Sequence, residues 1–114
     1  MRIEIKGRKV AVSDDLRKRV EKRFEKISRQ VSPLAELEVE LSEERNPRVA
    51  DSQVAEATLH VKGTTLRARA SASSMVTAIN EVSEDLARQV KRYRDKKRDH
   101  RRAPAPAGDI AAAG

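Results

Sequence analysis

Six residues, Glu36 to Leu41, read E-L-E-V-E-L, and this strict alternation constrains the fold more than any other stretch of the chain. A strand turns successive side chains to opposite faces, so Leu37, Val39 and Leu41 share one face and Glu36, Glu38 and Glu40 the other. Such a strand has one side to bury and one side in water, and another element must cover the apolar side. Two further stretches obey the same rule. Gln53 to Lys62 sets Ala55, Ala57, Leu59 and Val61 against Glu56, Thr58 and His60, and Leu66, Ala68 and Ala70 alternate with Arg67, Arg69 and Ser71. Gly63-Thr64 between them suits a hairpin turn, with glycine supplying a positive φ. Arg2 to Lys6 alternates as well, Ile3 and Ile5 inward, until Gly7 breaks the run. Alanine is a poor strand former, but on an inner face it lets a helix pack closely.

Two helical periods supply the cover. Ser13 reads as an N-cap, followed in the first turn by Asp14 and Asp15, which suit the positive end of the helix dipole. Leu16, Val20, Phe24, Ile27 and Val31 form the stripe of this first helix, and Ser32-Pro33 ends it. Ser74 caps the last helix, whose stripe is Met75, Ile79, Val82, Leu86, Val90 and Tyr93. Glu43 to Ser52, with Asn46-Pro47, has no period and reads as a loop. The order β-α-β-β-β-α implies an α+β fold, a four-stranded mixed sheet with both helices packed on one face. Strands one and two should pair parallel across the helical crossover, and strands two to four should form an antiparallel meander. Residues 1–102 read as one domain. Residues 103–114, beginning Ala103-Pro104-Ala105-Pro106, read as a disordered Ala/Pro-rich tail or the start of a linker.

Charge enters where the last helix changes character. The next position on its stripe is Lys97, so after Tyr93 there is nothing left to bury. From Arg88 to Arg102 nine Lys/Arg stand against Asp95 and Asp99, a net +7 that equals the net charge of the whole 114-residue chain. A basic run on a helix is ordinarily just a solvated face. Here the charge outlasts the apolar seam, and it is segregated along the chain. Residues 14–29 carry seven Lys/Arg and four Asp/Glu, whereas residues 36–51 carry six Asp/Glu and two Arg. Such separation creates a directional field suited to a polyanion. Lys18, Lys22 and Arg29 on the first helix, with Arg88, Lys91, Arg92, Lys96 and Arg98 on the last, are the candidate phosphate contacts.

Other chemistries find no footing. There is no cysteine, hence no thiolate metal site, disulfide or Cys nucleophile. His60 is the only histidine of the expected domain body, His100 sits in the charged run, and Ser71, Ser73 and Ser74 have no His-Asp arrangement to activate them. No Gly-rich phosphate loop is present. The chain reads as no enzyme, with no metal, cofactor or small-molecule substrate. No segment approaches the ~20 apolar residues of a membrane span, and the start has no apolar h-region, so a membrane partner and a signal peptide are both set aside in favour of the cytoplasm. Phe24 and Tyr93 are the only aromatics and both lie on stripes, which leaves base stacking almost nothing to work with. Recognition should proceed by charge and shape on folded RNA.

Glu56-Ala57-Thr58-Leu59-His60-Val61-Lys62-Gly63, then Leu66-x-Ala68-x-Ala70, Met75-x-x-Ala78-Ile79 and Leu86-Ala87-Arg88-Gln89 resemble the bacterial ribosome hibernation promoting factor family, also known as the protein Y or sigma-54 modulation protein family. The resemblance runs from Arg2 to about Arg98. It implies a fold like a double-stranded-RNA-binding domain and docking on the small ribosomal subunit, in the decoding region over the messenger and transfer RNA sites. There the family silences translation in idle cells. The eight cations would then contact ribosomal RNA. Two departures stand out. The family's Asp-Met-Tyr run reads Ser74-Met75-Val76 here, so the tyrosine's contact is not carried over. The tail lacks the acidic, Phe-containing end of protein Y and resembles the opening of the linker that leads to a second, dimerising domain in long-form members; with a small core and no spare apolar face, this chain alone is expected to be monomeric. Two alternatives remain: a general module for structured or double-stranded RNA, and a protein–protein regulator working through the acidic sheet face.

Overall fold

The alternating segments become a single sheet in the order β1-β2-β3-β4, with β1 at Arg2–Arg8, β2 at Glu36–Glu43, β3 at Gln53–Val61 and β4 at Thr64–Ala72. The computed structural model describes residues 1–46 and 48–102, without the side chains of 98–102. The expected tail and Pro47 of the expected loop lie outside the described residues. β1 pairs parallel with β2, Ile5 opposite Val39, while β2, β3 and β4 run antiparallel, Val39 opposite Ala57 and Ala57 opposite Ala68. The expected α+β mixed sheet is therefore present. Leu37, Val39, Leu41, Ala55, Ala57, Leu59 and Ala68 are all buried on its inner face.

Two glycines sit differently from the sequence reading. Gly7 does not break β1, which continues to Arg8. Lys9 takes a left-handed φ of 61° and turns the chain back, bringing the Val10 carbonyl over Gly7 so closely that any Cβ there would overlap it. The β3–β4 turn is Lys62-Gly63, one residue earlier than expected, because Val61 still pairs with Thr64; Gly63 carries the positive φ of 74°.

The first helix is not continuous. It divides into α1 (Asp14–Arg23) and α2 (Glu25–Ser28), separated by Phe24 at φ −96° and ψ 2°. Ser13 caps α1 as expected, its Oγ accepting from the Leu16 N–H at 3.2 Å. Phe24 and Ile27 both remain buried across the break. The Gln30 N–H donates to the Ile27 carbonyl at 2.9 Å, a tighter turn that ends α2 before Val31, which packs half-buried against the core.

α3 runs from Met75 to Arg102. The Thr77 N–H donates to Ser74 Oγ at 3.2 Å and the Ala78 N–H to the Ser74 carbonyl at 3.1 Å, the expected cap. Met75, Ala78, Ile79, Val82, Leu86 and Val90 are buried. α3 lies over β3 and β4 with Cα atoms within 8 Å, a closeness that the alanines beneath it permit. α1 is fastened to α3 by Arg23, which donates to Ser83 Oγ at 3.2 Å, to the Asn80 carbonyl at 3.3 Å and to Glu84 at 3.4 Å.

Candidate nucleic-acid interface

Burial along α3 stops at Val90; no described residue beyond it is buried. A helix of 28 residues is about 42 Å long, whereas a nine-residue strand spans about 30 Å, so the later turns of α3 have no sheet left to cover. What those turns offer instead is charge.

The helical period divides that charge between two flanks. Arg88, Arg92 and Lys96, at four-residue steps, form a row on the flank from which Gln89 Nε2 donates to the Arg67 carbonyl of β4 at 2.6 Å. Arg92 and Lys96 line a groove with Lys97 whose far wall is Lys62, Thr64 and Leu66. Lys91 and Arg94 fall on the opposite flank, the one that carries Ser83 and Glu84 to Arg23 of α1. Lys18 and Lys22 line a shallow cleft with Arg19, Arg23 and Val76. Arg29 is the C-cap of α2, and the next residue, Gln30, lines a groove with Arg94 and Lys97. Arg98 lies within α3, its side chain outside the described residues. The eight expected contacts are thus distributed over α1, the end of α2 and two flanks of α3.

They also differ in how their charge is balanced. Arg88 lies 3.2 Å from Asp85, Lys91 3.9 Å from Asp95, and Arg29 3.0 Å from Glu25. These pairs are exposed and worth little, so a phosphate can replace the carboxylate. Among the described residues Lys18, Lys22, Arg92 and Lys96 have no carboxylate within ion-pair distance. The open face of the sheet carries the expected acid as a central stripe, Glu36, Glu38 and Glu40 of β2 with Glu56 of β3. Basic edges flank it, Arg2 and Lys6 on β1 and Arg67 and Arg69 on β4. His60 belongs to this face, its Nε2 3.4 Å from Glu38, and no group of side chains among the described residues could hold a metal ion. No helix among them is long and apolar enough to cross a membrane.

One expectation about the aromatics fails. Phe24 is fully buried, but Tyr93 is only partly buried and lines the grooves on both sides of α3. Lys97 Nζ donates to Tyr93 Oη at 3.3 Å and stands 5.5 Å from the ring centroid. Tyr93, Lys97, Arg94 and Lys62 were absent from the expected contacts. The signal for the first two was the four-residue step from the last aromatic of the stripe to the lysine that ends it. Lys62 arrives from the β3–β4 turn, and no local pattern could reveal it.

Residues 3–98 match the family model described as sigma 54 modulation protein / S30EA ribosomal protein. The chain is 32% identical over 97 residues to a ribosome hibernation promotion factor of Picosynechococcus sp., covering 84% of this chain and 50% of that protein. It is 32% identical over 100 residues to the ribosome hibernation promoting factor of Salmonella typhimurium, covering 88% of this chain and 100% of that one. Among solved structures, the Protein Y N-terminal domain of Thermus thermophilus superposes with a TM-score of 0.70 at 26% identity, covering 82% of this chain and 99% of that domain. The chain thus spans half the length of the first relative and the full length of the second.

Proposed function

The chain belongs to the sigma 54 modulation protein / S30EA ribosomal protein family, and on that premise we propose that it is a ribosome hibernation factor. It docks on the small subunit in the decoding region, over the messenger and transfer RNA sites, through ribosomal RNA. The observation that carries this reading is the change in α3 at Val90, where a helix anchored in the core becomes one that presents mainly cations. Phosphate contacts come from Lys18, Lys22 and Arg29 on the first helical segment and from Arg88, Lys91, Arg92, Lys96 and Arg98 on α3. Lys18, Lys22, Arg92 and Lys96 lead, since none has a described carboxylate to displace. The action is occupancy without chemistry: a folded body seated where messenger and transfer RNA must pass excludes both, and translation stops. The protein works in the cytoplasm as residues 1–102, without a cofactor, and this chain alone is a monomer. Whatever the other half of the Picosynechococcus relative does forms no part of the proposal.

Co-sedimentation of the purified chain with ribosomes, beside a free duplex-RNA control, tests the reading. Binding to ribosomes and small subunits at a salt concentration where the duplex is released supports it. Equal retention by the duplex would make the protein a general structured-RNA module. Ribosome binding that survives loss of the α3 cations but fails when Glu36, Glu38 and Glu40 become alanine would move the function to the acidic stripe and a protein partner.

A further inference from the structure

Five cations and one tyrosine converge at the point where α3 leaves the core. Lys62, Arg92, Arg94, Lys96 and Lys97 line the two grooves that flank Tyr93, and Glu36 is the one carboxylate lining either. The grooves have volumes of about 680 and 840 Å³, within the ~300–1,000 Å³ of small-ligand clefts. Each also has apolar lining, Leu34 and Val61 in one and Leu66 in the other, and Leu34 is 89% exposed. Phosphates explain the cations but not an aromatic ring left partly open to water among them.

We propose that this junction is a nucleobase subsite for single-stranded RNA, with one unstacked base held against the Tyr93 ring and its flanking phosphates on the surrounding lysines and arginines. A ring face attracts the π face of any base, and a cation beside it holds the adjoining phosphate. Lys97 does both tasks from one place, tethering the Tyr93 hydroxyl while its ammonium stands ready for a phosphate. A duplex keeps its bases stacked and cannot offer one to Tyr93, so the occupant is a single strand, loop or bulge. An acidic peptide would use the cations and leave the ring idle. The inference deepens the ribosomal reading and rests on it only for the source of the RNA.

The chain has one tyrosine and no tryptophan, so tyrosine emission reports this site alone. The experiment titrates the full chain with oligoadenylate of about eight nucleotides, within the ~4–16 nucleotides of single-strand sites. Parallel titrations use an abasic oligomer of equal length and a polyglutamate peptide. The expected result is quenching by oligoadenylate and none by the other two. In anisotropy with a fluorescein-tagged oligoadenylate, Tyr93→Ala should weaken binding roughly 5- to 150-fold, while Tyr93→Phe, which keeps the ring, should stay near the parent. Affinity for the abasic oligomer should be the same in all three proteins. Equal quenching by the abasic oligomer or the peptide would overturn the proposal, as would Tyr93→Ala binding oligoadenylate like the parent. If Tyr93→Ala loses its circular dichroism, parent emission and Tyr93→Phe decide the matter. Ribosome co-sedimentation of the same preparations separates the two readings. Base-dependent quenching without ribosome binding upholds the subsite and sinks the ribosomal role, and ribosome binding indifferent to Tyr93 without base-dependent quenching does the reverse.

Discussion

Ala57 and Ala68 face each other across β3 and β4, both buried, with α3 close above them. Ala57→Leu should overpack the core and lower stability by about 1–3 kcal/mol, read as a shifted denaturation midpoint; an unchanged midpoint would show that the face is looser than its burial implies. Gly7 makes the same argument with backbone as the neighbour. A Cβ at Gly7 would meet the Val10 carbonyl, and backbone gives way less readily than a side-chain tip. Gly7→Ala should therefore cost about 1–3 kcal/mol in the same measurement, although its place in an exposed strand would suggest a harmless change. The two positions were not equally legible. The inner alanines follow from a period of two that each strand carries within itself. The constraint on Gly7 depends on the φ of 61° at Lys9, and lysine gives no hint of a left-handed conformation.

Among the elements, the strands and α3 were readable because each holds one unbroken period. The break at Phe24 was not, since Leu16, Val20, Phe24, Ile27 and Val31 keep helical spacing straight through it. The cationic row on α3 was equally readable; its division between two flanks required the sheet, because only the sheet says which side of the helix faces β4 and which faces α1. This division sharpens what mutation should do. Replacing Arg88, Lys91 and Arg92 together by alanine removes exposed pairs worth about 0–1 kcal/mol each, so circular dichroism and melting should hardly move. Ribosome binding should weaken and lose salt dependence, the log–log slope becoming shallower by roughly 0.7–0.9 per phosphate contact removed. Arg92→Ala alone should account for the largest share, because its neighbours already have partners in Asp85 and Asp95. Alanine at Glu36, Glu38 and Glu40 should leave binding undiminished. A salt titration of the two triple variants checks both statements.

At the scale of the whole molecule, the sheet edges bear on assembly. An open edge is a template for another strand, and the edge at β4 is engaged at one point by α3. Gln89 occupies the Arg67 carbonyl of β4. Sizing chromatography at micromolar concentration should accordingly return a monomer, and a dimer peak that persists on dilution would contradict this. Tyr93 was the least legible feature at any scale. Its spacing belongs to the core stripe, and only the length of α3 relative to the strands leaves it outside. That same mismatch of lengths has a consequence in time. Cations beyond the sheet meet the field of a polyanion first, at separations near the ~10 Å over which charge is felt in ordinary salt. The far end of α3 should therefore guide the encounter while the body is still diffusing. Added salt should slow arrival much more than it hastens departure, so ionic strength governs how quickly the protein is captured and the fit of the seated body governs how long it stays.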